Sequence, residues 1–337
     1  MPFVLSHPPD TAERVEGEPF YQLCAYSIQD SDAVRSPWHD FRFCLRAFKV
    51  LPPCDAVGLL SGHDATGLVV WSGALALLEW LLHHPDRLDA AMRSSSTQDQ
   101  TSAASVGAAS ATHVIELGCG SGITTVGLHA LLSRRRGAAP LGQNDAAART
   151  HLWATDGNPD CVELAQRNVR EQCSGGGDGS PSCGVAASAE LLAWGDDAAA
   201  EQLLRKCCGD ASPSCGPSVT IVSADVLYDA AAVPLLVSTA AKVADLRAPA
   251  GASGCCEKEL EWWLAYAPRS LTRAGNECIF QTLLDAFAER GWTYEVFPLP
   301  AGAVTTGFEE HCDCDTTALR GCILVVRVKG AAFSSRE

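Results

Sequence analysis

The sequence predicts an α/β fold, a parallel sheet with helices on both faces. Three observations carry that prediction. Residues 113–122, His-Val-Ile-Glu-Leu-Gly-Cys-Gly-Ser-Gly, read as a short buried strand running into a glycine turn, and 123–132 continue with apolar residues at helical spacing. From residue 151 to 328, strand-like and helix-like segments alternate, the pattern of a parallel sheet with crossover helices. Hydrophobic residues make up 47% of the 337-residue chain, enough to build a sizeable core.

Taken in order, residues 1–20 are rich in proline and acid and are expected to be loose. Between 21 and 50, β-prone residues alternate in part with charges, notably in 41–48, so strands or a hairpin are expected, ending at Pro52-Pro53. Residues 67–71 suit a short extended lead-in, and 74–82 suit an apolar helix ending near His83-His84-Pro85. The next strand is 114–117 and its helix 123–132. Then follow strand 151–155, helix 159–172, a strand within 185–194, strand 219–224, helix 230–245, strand 261–267, helix 273–290, and strands at 292–299 and 321–328. Residues 93–112 are a low-complexity Ser/Ala/Thr/Gln stretch, read as a disordered insert, and similar inserts are expected near 136–150, 173–184, 206–218 and 247–258. The chain divides into an extension over 1–60 and a main domain over 61–330.

A net charge of −15 and a pI near 5.0 argue against duplex nucleic acid as a partner, because that surface needs a basic face. The one dense basic run, Arg134-Arg135-Arg136, reads as a solvated helix end favoured by the macrodipole. The best apolar run, 68–82, is broken by Trp71-Ser72-Gly73 and Glu79, so no membrane span is expected, and the N-terminus lacks the basic start and apolar core of an export signal. The 16 cysteines show no C-x-x-C pair and read as free thiols in the reducing cytoplasm. Cys207-Cys208, Cys255-Cys256 and His311-Cys312-Asp313-Cys314 lack two spaced ligand pairs, so no metal site is assigned.

Strand, glycine turn and helix form a nucleotide-binding β-α unit. Gly118 and Gly120 let the backbone pass close to a ligand, and the helix N-terminus offers N–H groups to an anion. A dinucleotide fold would place a third glycine at 123, where this chain has Ile123. Asp156 ends the next strand, where its carboxylate can accept from both hydroxyls of a ribose; Asn158 is the better N-cap for the following helix. Trp194 can cover an adenine ring, or fill core. Trp71 can floor a pocket, or likewise fill core. Asp225 and Tyr228, three apart at a strand end, can face one opening: Asp225 holding an incoming ammonium, Tyr228 orienting the free amine through its phenol oxygen. The alternative makes Asp225 a helix cap and Tyr228 a packing residue. Enzymes that methylate adenine in nucleic acid carry Asn/Asp/Ser-Pro-Pro-Tyr/Phe at this point, and 224–228, Ala-Asp-Val-Leu-Tyr, contains no proline; cytosine-C5 enzymes need a nucleophilic Cys, usually after Pro, and Pro53-Cys54 precedes the glycine turn.

With Glu116 before the turn, the pattern acid-x-G-x-G-x-G resembles motif I of class I S-adenosylmethionine-dependent methyltransferases, a Rossmann-like fold. Together with 66–71 (Thr-Gly-Leu-Val-Val-Trp), Asp156, Leu192-Ala193-Trp194 and 224–228, it resembles the seven-β-strand protein-lysine methyltransferases over roughly residues 62–300, nearest the branch that methylates elongation factor two. The resemblance implies a seven-stranded sheet with its last strand antiparallel. It implies contacts to S-adenosylmethionine from Trp71, Glu116, Gly118, Cys119, Gly120, Asp156, Trp194 and Ala224, and a substrate site at Asp225 and Tyr228. It implies a protein partner carrying the target lysine, and a monomer is expected. Two other functions fit the same motifs: methylation of a small-molecule amine, and a cofactor-binding scaffold without catalysis. Ala193 stands where the family commonly has an acid, and 311–314 match nothing in it.

Overall fold

The computed structural model describes residues 4–6, 13–14, 21–29, 41–48, 65–92, 111–138, 149–173, 184–208, 218–247, 260–270, 272–299 and 321–330. The inserts expected within 93–112, 136–150, 173–184, 206–218 and 247–258 lie largely outside these residues. So do Pro52-Pro53, Cys255-Cys256 and the 311–314 stretch.

Among the described residues, four strands precede the main sheet: β1 (Val4–Ser6), β2 (Glu13–Arg14), β3 (Tyr21–Gln29) and β4 (Phe41–Phe48). β3 and β4 form the expected antiparallel hairpin, with Tyr21 opposite Phe48. The expectation that 1–20 is loose fails at Val4–Ser6 and Glu13–Arg14, which add to the other edge of β3. A lone hairpin is marginal in water, and extra strands help it hold.

The main sheet has seven strands: β5 (Thr112–Leu117), β6 (Thr150–Asp156), β7 (Val185–Leu191), β8 (Ser218–Ala224), β9 (Leu260–Tyr266), β10 (Thr293–Pro298) and β11 (Cys322–Val328). Their order is β10-β11-β9-β8-β5-β6-β7. β7, β6, β5, β8 and β9 pair in parallel, and β11 runs antiparallel to both β9 and β10, as the family resemblance implied. The chain starts at the centre, winds outward to β7, then returns to β8 on the other side of β5. That reversal opens a crevice at the carboxyl ends of the central strands.

Among the described residues, seven helices cover the sheet: α1 (Ser72–His83), α2 (Pro85–Met92), α3 (Ile123–Ala138), α4 (Pro159–Cys173), α5 (Asp197–Cys208), α6 (Val233–Arg247) and α7 (Arg273–Glu289). Successive strand residues point to opposite faces. Val114, Leu152, Val222 and Trp263 pack with Leu77, Leu88 and Leu131 of α1, α2 and α3. Ile115, Trp153, Ile221 and Trp262 pack with Leu203, Val237 and Phe287 of α5, α6 and α7. Continuous apolar strands buried on both faces follow from this double cover.

The sequence reading missed α2 and α5. Pro85 looked like a stop but stands first in α2, where its missing N–H costs nothing. α5 begins in the Asp-Asp-Ala-Ala-Ala run, and Asp196 caps it, its Oδ1 accepting from Ala199 N at 3.0 Å. Asn158 caps α4 as expected, its Oδ1 accepting from Asp160 N at 2.9 Å. α6 starts at Val233, three residues late, because Asp229 Oδ1 accepts from Ala231 N and closes a local turn first. Residues 67–71 are not simply extended: one 3-10 turn spans Ala65–Leu68 before Val69. The basic run near the end of α3 is not left to solvent. Arg135 pairs with Asp89, and Arg136 donates to Gly184 O and Thr150 Oγ1 at 2.7 Å each. Among the described residues no helix is long and apolar enough to cross a membrane.

Candidate active site

The carboxyl ends of β5 to β9 and the start of α1 enclose a cavity of about 810 Å³. All ten predicted site residues line it: Trp71, Glu116, Gly118, Cys119, Gly120, Asp156, Trp194, Ala224, Asp225 and Tyr228.

The turn after β5 runs through left-handed backbone, with φ of +77° at Gly118 and +52° at Gly120. A Cβ at Gly118 would lie 2.6 Å from Val226 Cγ1 and 3.0 Å from Trp194 Cζ2; one at Gly120 would lie 2.6 Å from Gly67 O. The sequence reading assigned these glycines to a ligand's approach. In the structure they also admit the protein's own neighbours, which brings Trp194 and the 65–68 turn against the loop.

The N–H groups expected to await an anion are partly taken. Gly118 N and Cys119 N donate to Thr155 O at 2.9 and 2.8 Å. Gly120 N donates to Asp156 Oδ2 at 2.9 Å, and Asn158 N donates to Asp156 Oδ1 at 2.8 Å. Each carboxylate oxygen has a second lone pair, so Asp156 braces the turn and still presents acceptors to the cavity. Glu116 accepts from Thr125 N at 3.1 Å and from Thr125 Oγ1 at 2.5 Å, supplying the cap for α3. Burial pushes its carboxyl up to about 7, against the pull of those hydrogen bonds. Burial and the nearby Asp156 hold the Cys119 thiol well above its ordinary range, so it stays neutral. The Ser72 and Ser121 hydroxyls are buried in residues that line this cavity, with no hydrogen-bond partner among the described residues. Such groups are costly unless something satisfies them.

Asp225 follows β8 with φ of +58°, the one non-glycine residue with positive φ among those described. Its side chain is 3% exposed. Oδ1 accepts from Arg269 Nε and Nη2 at 3.1 and 2.5 Å, and Oδ2 accepts from Ala74 N at 3.2 Å. Asp225 therefore does cap a helix, but that helix is α1, far away in sequence. Burial raises its carboxyl above the usual range, and Arg269 opposes that shift. Trp71 is held by Nε1–H donation to Thr66 O at 2.8 Å, and the Arg269 guanidinium carbon lies 4.0 Å from the centre of its ring. Tyr228 and Leu235, each half exposed, stand on the cavity's outer wall.

A family model described as lysine methyltransferase matches residues 60–250. The chain belongs to that family. The match ends before β9, so Arg269 lies beyond it. No curated protein matches this methyltransferase. Among solved structures it is similar to the DszA carbon methyltransferase, at 14% identity with TM-score 0.35 over 77% of this chain and 54% of that one. It is also similar to LepI in complex with SAM, at 12% identity with TM-score 0.31 over 72% and 46%. A third likeness is to an O-methyltransferase family 2 protein from Planctomyces limnophilus in complex with apigenin, at 13% identity with TM-score 0.30 over 81% and 67%. The chain thus spans about half of the first two, and the functional reading rests on none of the three.

Sequence reasoning missed Arg269, Ser72 and Ser121. The rule that ligands gather at strand ends, applied to β9 as it was to β8, would have found Arg269. The two serines carry no such signal, because a hydroxyl becomes conspicuous only when the fold leaves it without a partner.

Proposed function

We propose that this methyltransferase uses S-adenosylmethionine to methylate a lysine side chain of a protein substrate, with a translation elongation factor as the substrate class its motifs resemble. The observation that carries the reading is the single cavity that gathers a glycine turn, a strand-end carboxylate, two tryptophans and the Asp225–Tyr228 pair. The residues fit the cofactor. The glycine turn and Asp156 face a space large enough for a nucleoside with a side chain. In this reading Trp71, Glu116, Gly118, Cys119, Gly120, Asp156, Trp194 and Ala224 hold the cofactor, which when bound supplies an electrophilic methyl group and leaves as S-adenosylhomocysteine.

The protein's own task is to deliver the amine. Tyr228 orients the amine nitrogen by accepting one of its N–H bonds, and Asp225 fixes the electrostatics of the opening. The nitrogen lone pair forms the new N–C bond as the S–C bond breaks, and the product ammonium carries the surplus proton until it is lost to solvent. The partner in this reading is a protein, since an acidic chain draws a lysine-bearing substrate and repels duplex nucleic acid, and we take the enzyme to act as a cytoplasmic monomer.

The test is incubation of the protein with labelled S-adenosylmethionine and lysate from cells that lack it, followed by mass spectrometry of labelled bands. A methylated lysine is expected, lost in Asp225→Ala and Tyr228→Phe while S-adenosylhomocysteine affinity stays nearly intact. Labelling of a small amine alone would favour the small-molecule reading. Binding without any transfer would leave a scaffold.

A further inference from the structure

One guanidinium ties three segments together at the cavity. Arg269 follows β9, its side chain is 14% exposed, and two of its nitrogens converge on one oxygen of Asp225, which follows β8. Its plane carbon stands over Trp71, which precedes α1. The other Asp225 oxygen takes the N–H of Ala74 inside α1. Gly73 leaves the space for that carboxylate, since a Cβ there would lie 2.5 Å from Oδ2. Asp225 also keeps a left-handed backbone at φ +58°. A non-glycine residue persists there only when its surroundings hold it, and such outliers gather at functional sites.

We propose that Arg269 is a positioning residue for methyl transfer: it locks the Asp225 carboxylate in its left-handed turn, and by neutralising that carboxylate it makes the cavity receive the substrate's amine uncharged. The proposal rests on reading Asp225 and Tyr228 as the substrate site. An unpaired buried carboxylate would bind an ammonium strongly and hold its proton on, and an ammonium has no lone pair with which to attack. A guanidinium already on the same oxygen repels a second cation and leaves a neutral amine untouched. The charged and titratable groups around Asp225 are Arg269 from beyond β9, the N–H dipoles at the start of α1, and Tyr228 in its own segment; Glu116 and Asp156 line the same cavity. Arginine suits the task better than lysine because its planar fork bonds the carboxylate while its face stacks on the indole.

The experiment uses the full chain as wild type, Arg269→Gln, Arg269→Lys, Asp225→Asn and the Arg269→Gln/Asp225→Asn double variant. S-adenosylhomocysteine affinity is measured by calorimetry, and turnover on a lysine-bearing protein from about pH 6 to 10, the range that brackets a shifted lysine. Arg269→Gln should keep its affinity within a few-fold and lose on the order of 100-fold in kcat/KM near neutral pH, the scale of a misplaced reacting group. The rising limb of its pH profile should move upward by about one pH unit, because the amine now meets an unshared carboxylate. Arg269→Lys keeps the charge without the fork, so its limb should stay in place while kcat falls. The double variant should be little worse than Arg269→Gln, since Arg269 acts through Asp225. A lowered turnover with an unmoved limb in Arg269→Gln, or fully additive losses, overturns the proposal. If Arg269→Gln does not fold, a moved limb in Arg269→Lys overturns it by itself. A wild type that methylates no protein lysine overturns both this proposal and the reading beneath it. An active wild type with an unmoved limb overturns this proposal alone.

Discussion

Asn168 holds Arg46 by both of that residue's backbone polar groups. Its Oδ1 accepts from Arg46 N at 2.7 Å, its Nδ2 donates to Arg46 O at 2.9 Å, and the same Nδ2 donates to Ser121 O at 2.8 Å. One fully buried amide on α4 thus joins β4 of the N-terminal sheet to the glycine turn of the cavity. Arg46 adds an ion pair to Glu171, one turn further along the helix, at 2.9 Å.

Removing that amide should loosen both ends together. Asn168→Ala removes three hydrogen bonds to backbone groups, two on Arg46 and one on Ser121, at about 1–3 kcal/mol each before relaxation or water entry. We expect a net loss of about 3 kcal/mol, faster proteolysis within residues 1–48, and weaker S-adenosylhomocysteine binding. Asn168→Asp should be worse still, since a carboxylate cannot donate to the Arg46 and Ser121 carbonyls. Limited proteolysis alongside calorimetry checks this. Weakened cofactor binding with an intact protease pattern would show that the two ends are not coupled through Asn168.

Glu116 makes stability depend on pH. Its folded pKa is raised to about 7, so its contribution is fully present below the unfolded value near 4.5 and is lost as pH rises through 7. Between those limits the folded state holds more protons than the unfolded state, and stability must fall with pH. The shift corresponds to roughly 3 kcal/mol at 1.36 kcal/mol per unit. Glu116→Gln keeps an oxygen for Thr125 and removes the titration. The gap in unfolding free energy between wild type and variant should therefore move in the variant's favour from pH 5 to 8. Parallel pH curves for the two proteins would rule this account out.

Much of this was legible in the sequence because backbone conformation and burial leave strong marks. The run 113–122 placed β5, its turn and α3, since a short β-branched run stopped by glycines favours a buried strand and glycine accepts φ +77° and +52° most readily. Asp156, Trp194, Asp225 and Tyr228 each end or follow a parallel strand, and topology brings such ends together. What the sequence did not carry was the partnership between them. Asp225 was read as waiting for an ammonium, yet its charge meets Arg269, 44 positions away, and α1, about 150 positions away. Helices α2 and α5 were missed because Pro85 and the alanine run 198–200 give no apolar period of their own.

Asp156 should serve two masters, and a single substitution can separate them. Asp156→Ala removes the acceptor for Gly120 N and Asn158 N together with the acceptor proposed for the cofactor. We expect S-adenosylhomocysteine binding to weaken by about 1–3 kcal/mol. Asp156→Asn retains one oxygen, so it should keep most of the turn's stability while still losing affinity. Calorimetric titration and thermal melts of both variants read this out. Unchanged affinity in Asp156→Asn would mean that the carboxylate serves the turn only.

The two glycines of the turn should respond differently to the same added methyl group. At Gly118 the obstacle is the Val226 side chain, 2.6 Å from the new Cβ, and a side chain can be trimmed. At Gly120 it is the Gly67 carbonyl oxygen, also at 2.6 Å, and backbone cannot be trimmed. Both substitutions force alanine into left-handed backbone, at about 1–2 kcal/mol each. Val226→Ala alone should cost about 1–2 kcal/mol, because Val226 is buried in the core between sheet and helices. Combined with Gly118→Ala it should cost less than the sum of the two, since the smaller side chain makes room for the methyl group. Gly120→Ala should gain nothing from Val226→Ala. Unfolding free energies of the wild type and the five variants close the two cycles. Strict additivity at Gly118, or coupling of equal size at Gly120, would mean that these contacts do not decide why the turn is built of glycine.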